Sequence, residues 1–224
     1  MEEGEAGMSD GLVVSDPQPG VRTLAIARPA RKNALDSATY CALSAALRSA
    51  ERDESVRAVV LTGSGDTFTA GNDLADFQKL DDTGGASDAL KFLHVISGFP
   101  KPVIAAVEGV AVGIGVTVLL HCDLAYAGRS SRFRMPFVAL GLCPEGASTF
   151  LLPRLAGSKR AAELLYFGEA FSAEEAEAAG ILNGVTDDGA ALEMALDRAG
   201  ALAALPVEPL IETKRLLRAG TAQV

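Results

Sequence analysis

Short runs of β-branched and other apolar residues alternate, up to about residue 147, with segments whose apolar positions recur every three or four residues. The first kind predicts strands at Val21–Ala27, Val56–Thr62, Val103–Val107 and Leu124–Tyr126, each bounded by Gly, Pro or charge. The second predicts a helix opening at Asp36 or Ser37, both good N-cap residues, with Tyr40, Leu43 and Leu47 on one face. Another is expected over 87–98, where Leu90, Phe92, Leu93 and Ile96 share a face, and another over Ile114–Cys122. From residue 147 onward the chain reads as mostly helix. The helical period predicts Ser148–Leu155, Lys159–Phe167, Ala173–Ala179, Ala190–Leu205 and Pro209–Arg218. The fold class is therefore α/β, with the helices concentrated towards the C-terminus.

Composition narrows the function classes. The 224 residues are 49% hydrophobic and 22% charged, enough core for one domain, or one domain plus a small tail, with no strong repeat or convincing linker. A formal net charge of −9 argues against a nucleic-acid-binding surface. The longest apolar run, Val110–Leu120, is too short and too glycine-rich to cross a bilayer, which needs about 20 apolar residues. Three cysteines (Cys41, Cys122, Cys143) without C-x-x-C spacing fit free thiols in a reducing compartment, so a cytoplasmic location is expected. With only His94 and His121, no zinc-type ligand cluster can be drawn, and no metal site is expected.

Two glycine-bearing segments could present backbone amides. Phe68-Thr69-Ala70-Gly71-Asn72-Asp73-Leu74 follows a predicted strand, with Asp73 as a candidate cap for a helix over Leu74–Leu80. Glu108-Gly109-Val110-Ala111-Val112-Gly113-Ile114-Gly115 leads from a buried strand into an apolar helix. Amides from the two, converging on one oxygen, would form an oxyanion hole. Ordinary capping and close helix–sheet packing explain each segment alone. The glycine run is not a dinucleotide fingerprint. It lies mid-chain, and Val118 stands where the third glycine of G-x-G-x-x-G belongs. Arg28-Pro29-Ala30-Arg31-Lys32-Asn33-Ala34-Leu35 puts three cations in one loop, able to hold phosphates or simply to be solvated. Thr83-Gly84-Gly85-Ala86-Ser87 reads as a mobile loop at a site mouth or a plain surface turn.

The most informative stretch is Leu140-Gly141-Leu142-Cys143-Pro144-Glu145-Gly146. One carboxylate sits between Pro and Gly in an apolar setting, just before a predicted helix. It is either a charge at a helix start or a base kept from water. Nearby Phe137, Leu140 and Leu142 are candidates for an apolar wall that would raise its pKa. His121 reads as a packed or interface histidine, His94 as a candidate pocket residue, and Cys143 as a small packing residue.

Taken in order from Val21 to Val185, these segments resemble the crotonase (enoyl-CoA hydratase/isomerase) superfamily. Ala70–Leu74 and Pro136–Gly146 are closest to its Δ3,Δ2-enoyl-CoA isomerase branch. The resemblance implies a spiral of β-β-α repeats followed by C-terminal helices. Residues 1–10 form a flexible acidic N-terminus, 11–185 the crotonase-like core, and 186–224 a helical segment shorter than in relatives, where this part closes the acyl pocket and helps subunits pack. It implies an acyl-CoA thioester substrate, coenzyme A being part of the substrate and no separate cofactor being needed, and a homotrimer or dimer of trimers. The oxyanion amides fall on Asn72 and Ile114. Substrate and CoA contacts fall on Arg28, Arg31, Lys32, Ala34, Ala70, Gly71, Asn72, Asp73, Leu74 and Gly113. The two glutamates by which family hydratases activate water are replaced by Thr117 and Phe137, leaving Glu145 at the isomerase-base position. The expectation is an isomerase of 3-enoyl-CoA in fatty-acid metabolism. A hydratase or other enolate-forming acyl-CoA enzyme, and a non-catalytic acyl-CoA-binding module, are the alternatives.

Overall fold

The structure, a computed structural model, describes residues 7–9, 11–73 and 87–220. Among them a seven-stranded sheet has the order β1-β2-β3-β4-β5-β7-β10. Its strands are β1 (Gly7–Ser9), β2 (Leu12–Gln18), β3 (Val21–Ile26), β4 (Ala58–Gly63), β5 (Val103–Val107), β7 (Leu124–Gly128) and β10 (Gly184–Thr186). The first two pairings are antiparallel and the rest parallel. A small second sheet joins β6 (Val110–Val112), β8 (Arg132–Arg134) and β9 (Phe171–Ser172). The helices are α1 (Ser37–Arg52), α2 (Asp88–Gly98), α3 (Ile114–Thr117), α4 (Ser148–Ala156), α5 (Ser158–Phe167), α6 (Ala173–Ala178), α7 (Ala191–Ala203) and α8 (Val207–Arg218).

The central strands are apolar on both faces because both faces are covered. Val59 and Leu61 of β4 and Ala105 and Val107 of β5 join the large core with Leu43, Leu47, Phe92 and Ile96 of α1 and α2. The alternate residues, Ala58, Val60, Ile104 and Ala106, meet Ala191, Ala195 and Ala199 of α7. The four-residue spacing of these alanines gives α7 a smooth stripe on which the sheet can lie close. The segment after residue 186 thus contributes to the same body as the strands before it.

The predicted strands stand with ends moved by one or two residues, and Val103–Val107 is unchanged. Asp36 caps α1: its Oδ1 accepts from Thr39 N at 2.8 Å, an interaction whose loss costs about 1 kcal/mol. Two corrections follow. The helix expected over Ile114–Cys122 is one α-turn followed by a 3₁₀ turn at Val118–His121. The glycine segment before it is a strand, β6, with Gly113 capping α3, rather than a direct strand-to-helix turn. The strands β2, β6, β8, β9 and β10 gave no usable alternation, four of them being three residues long or shorter. The expected helix at Leu74–Leu80, residues 83–86 of the Gly/Ser patch, and residues 1–6 and 10 of the N-terminal segment lie outside the described residues. Gly7–Ser9 pairs with β2.

Candidate active site

Three loops meet after β3, β4 and β6. The first, residues 28–35, is organised by Asn33, which is fully buried in a left-handed conformation that Asn tolerates well. Its side chain accepts from Arg28 N at 2.9 Å and donates to the carbonyls of Ser64 and Thr67 at 2.9 and 2.6 Å. Thr69 Oγ1 donates to the Asn33 carbonyl at 2.6 Å. One asparagine thereby fastens the cationic loop to the segment carrying Asn72.

That second segment runs beside the first. Leu35 N donates to the Gly71 carbonyl and Asp73 N donates to the Leu35 carbonyl, both at 2.8 Å. These bonds fix the peptides on either side of Asn72, and no described residue accepts the Asn72 N–H. Gly71 has φ +92°, and a Cβ there would stand 2.7 Å from the Val112 carbonyl, so only glycine lets this segment lie against β6. The Asn72 side chain is held by the Tyr40 hydroxyl, which donates to Oδ1.

The third loop presents Ile114. Gly113 adopts φ 57°, ψ −114° and donates its N–H to the Arg134 carbonyl at 2.8 Å. Ile114 is the first residue of α3, where an N–H has no partner within the helix. The two amides predicted for an oxyanion hole are thus both unspent within the described chain. Both residues line one cavity of about 600 Å³, together with Arg31, Lys32, Ala34, Ala70, Gly71, Asp73 and Gly113. Its remaining wall is apolar: Ala30, Val112, Pro136, Phe137, Leu140 and Leu142.

Arg28 is the departure among the predicted contacts. It does not line the cavity. Its guanidinium is directed inward, to Asp36 at 2.7 Å, to Asp73 at 3.3 Å and to the Ala34 carbonyl. Asp73 is 8% exposed and needs this compensation. Arg31, more exposed, reaches the same carboxylate at 3.4 Å. Of the three cations, Arg31 and Lys32 face the cavity. Leu74 lies outside the described residues.

Glu145 is not a lining residue, but it is tied to both amide-bearing segments. Its Oε1 accepts from Thr117 Oγ1 at 2.6 Å, and Thr117 is one turn after Ile114 on α3. Its charge also acts on Tyr40, the residue that holds Asn72; burial first, then Glu145 and Asp36, push the Tyr40 pKa well up. Burial raises the Glu145 pKa, and the Thr117 hydroxyl opposes that by stabilising the ionised form. The carboxylate is no helix-start charge: Gly146 and Ala147, both left-handed, separate it from α4. Phe137 is buried, as expected of the wall. Leu140 and Leu142 are exposed and bound the cavity. His121 holds the base loop, its Nε2 2.8 Å from the Gly146 carbonyl, and burial lowers its pKa. His94 and Cys143 are exposed and line no part of the cavity.

Sequence reasoning missed Tyr40 and Asn33 as site residues. Each carried a faint signal: a tyrosine on an apolar helix face usually needs a partner for its hydroxyl, and an asparagine beside a turn is suited to positive φ.

Comparison with known proteins identifies the family and the fold. Residues 16–223 match the family described as enoyl-CoA hydratase/isomerase. The chain is 39% identical over 203 residues to 1,2-epoxyphenylacetyl-CoA isomerase of Escherichia coli K12, covering 87% of this chain and 77% of that protein. It is 35% identical over 224 residues to enoyl-CoA delta isomerase 2 of Rattus norvegicus, covering 96% of this chain and 56% of the relative, so it spans little more than half that protein's length. The structure of Pseudomonas aeruginosa OdaA superposes with a TM-score of 0.91 at 44% identity, covering 96% of this chain and 87% of the other. The fold is the crotonase-like α/β arrangement, and the chain belongs to the enoyl-CoA hydratase/isomerase family.

Proposed function

We propose that this chain is a Δ3,Δ2-enoyl-CoA isomerase, converting a 3-enoyl-CoA to the conjugated 2-enoyl-CoA. The observation that carries this reading is the partly dry carboxylate of Glu145, anchored on the short helix that also presents the Ile114 N–H. Asp73, the acid that lines the cavity among the described residues, is occupied by Arg28 and Arg31. Thr117 and Phe137 stand where a water-adding site of this family would carry glutamates.

In this mechanism the thioester oxygen accepts hydrogen bonds from the Asn72 and Ile114 amides. Glu145 takes a proton from C2. The C2–H electron pair forms the C1–C2 double bond, and the carbonyl pair moves to oxygen as an enolate. The enolate then collapses: C1=O reforms, the C1–C2 pair becomes C2=C3, and the former C3=C4 pair takes the proton from Glu145 at C4. One group serves both transfers, and a raised pKa lets it keep the proton between them. The two amides supply the charge stabilisation; losing one such donor costs roughly 2.7–4 kcal/mol of barrier. Arg31 and Lys32, which line the cavity, would meet the phosphates of CoA. The reaction uses protein groups and the substrate's own CoA, with no further cofactor. We extend the same reading to a cytoplasmic homotrimer or dimer of trimers.

The test is to supply 3-hexenoyl-CoA to the wild type and Glu145→Gln, following the conjugated thioester by absorbance and the products by mass. Formation of 2-hexenoyl-CoA, lost in Glu145→Gln while CoA still binds, supports the isomerase. A product heavier by one water from 2-hexenoyl-CoA, supplied in parallel, with 3-hexenoyl-CoA left unconverted, makes the chain a hydratase. Binding of CoA without turnover makes it an acyl-CoA-binding module.

A further inference from the structure

We propose that Thr117 is a positioning residue for the base: its hydroxyl fixes one oxygen of Glu145 and leaves the other as the sole proton carrier. This rests on the isomerase reading of Glu145.

The geometry is one-sided. Thr117 is fully buried, and its Oγ1 lies 2.6 Å from Glu145 Oε1. The competing acceptor, the Ile114 carbonyl, is 3.5 Å away, so the single hydroxyl proton belongs to the carboxylate. No described residue bonds to Oε2. A carboxylate held at one oxygen presents the other in a fixed direction, which a base serving both C2 and C4 requires. The anchor also sets distance. Thr117 follows Ile114 by three residues on the same turn, so the base is referenced to the very helix that supplies an oxyanion donor. Gly146 permits the approach, since a Cβ there would stand 3.1 Å from both Cβ and Oγ1 of Thr117. A threonine hydroxyl can donate to Oε1 whether or not Oε2 carries a proton, so the anchor survives the whole cycle.

The groups around the base loop do not duplicate this role. From α1, Tyr40 spends its proton on Asn72. From the 3₁₀ turn after α3, His121 meets the Gly146 carbonyl rather than the carboxylate. From α2, Leu93 is the side chain that approaches Gly146. Removing the hydroxyl therefore leaves the ionised base with burial unopposed, and the pH at which it ionises rises.

The experiment measures kcat and KM against pH for wild type, Thr117→Val and Thr117→Ser. Valine keeps the shape and deletes the donor. The expected result is an acid limb displaced upward by about one pH unit in Thr117→Val, with kcat at neutral pH lowered about tenfold or more and KM for the CoA substrate within about threefold. Thr117→Ser returns the limb to its wild-type position. An unmoved limb in Thr117→Val, or a serine variant that behaves as valine does, overturns the proposal. Should Thr117→Val fail to fold, Thr117→Ala, checked by its melting shift on binding CoA, must show the same displacement, and an unmoved limb there overturns the proposal equally. Retention of turnover by Glu145→Gln would instead overturn the isomerase reading, which separates the two failures.

Discussion

The amides of Asn72 and Ile114 are placed by main chain, whereas the Glu145 carboxylate is placed by side chains. On the donor side, the Gly71 carbonyl and the Asp73 and Gly113 amides are each bonded to backbone at 2.8 Å. The conformations there need glycine at 71 and 113, and the side chains that support them, Asn33 and Thr69, bond to backbone and not to Asn72 or Ile114 themselves. On the base side, two side-chain bonds act, Thr117 to Glu145 and His121 to the Gly146 carbonyl. The donor side can accept substitutions that keep the backbone path. The base side changes chemistry when one residue type changes.

The sharpest break in the comparison is Glu145→Gln. The amide keeps the shape and can still accept from Thr117, but it takes no proton. Turnover of 3-hexenoyl-CoA should fall about 10²–10⁴-fold, the usual worth of a positioned acid–base group, with CoA binding kept. Next comes Gly71→Ala on the donor side. The added methyl meets the Val112 carbonyl at 2.7 Å, and alanine resists φ +92°. The segment must shift, and the Asn72 amide shifts with it. A loss of about 10²-fold in kcat is expected, the cost of one oxyanion donor, together with a lower melting temperature. Full activity in Gly71→Ala would detach the amide from the chemistry.

What the sequence disclosed follows the same division. Elements with a local period or a local cap were legible: β5, the Asp36 cap and the helices after residue 147. So were the glycines that free an amide and the lone acid between Pro144 and Gly146. Pairings between distant segments were not. Tyr40 meets Asn72 across 32 residues, and Thr117 meets Glu145 across 28. Neither distance has a periodicity that could reveal it. In the sequence Thr117 showed only that a glutamate was missing; its hydroxyl's task depends on where another loop returns. Arg28, Arg31 and Lys32 are alike on paper. Which one turns inward is decided by Asp36 and by Asp73, 45 residues away.

A smaller effect sharpens the donor side. Asn72→Ala removes the side chain held by Tyr40 but leaves the backbone bonds of Gly71 and Asp73 to Leu35. If main chain sets the amide, kcat falls less than about tenfold, well short of the loss on removing a donor. Tyr40→Phe should match it. A drop in Asn72→Ala as deep as that of Gly71→Ala would mean that side chains govern this half too, and the contrast between the two halves would dissolve.

The smallest expected effect concerns stability and tests the base side without substrate. Burial raises the Glu145 pKa above its ordinary value of 4.5. Such a carboxyl holds its proton more tightly folded than unfolded, so the folded chain binds the extra proton between the two values. The fold then loses stability as pH rises through that interval, and above it carries a constant penalty for a desolvated charge. Glutamine carries no such penalty. Glu145→Gln should therefore melt at or slightly above the wild type at about pH 8, and the two curves should converge at about pH 4, where both side chains are neutral. In a chain of this size about 1 kcal/mol moves the midpoint by about 2–4 °C, so the difference sought is of that order or less. A variant that melts clearly below the wild type at pH 8, with the gap closing in acid, would show the ionised carboxylate to be a net stabilising partner. Glu145 would then be a structural ion held by Thr117, and the base side would have lost its base.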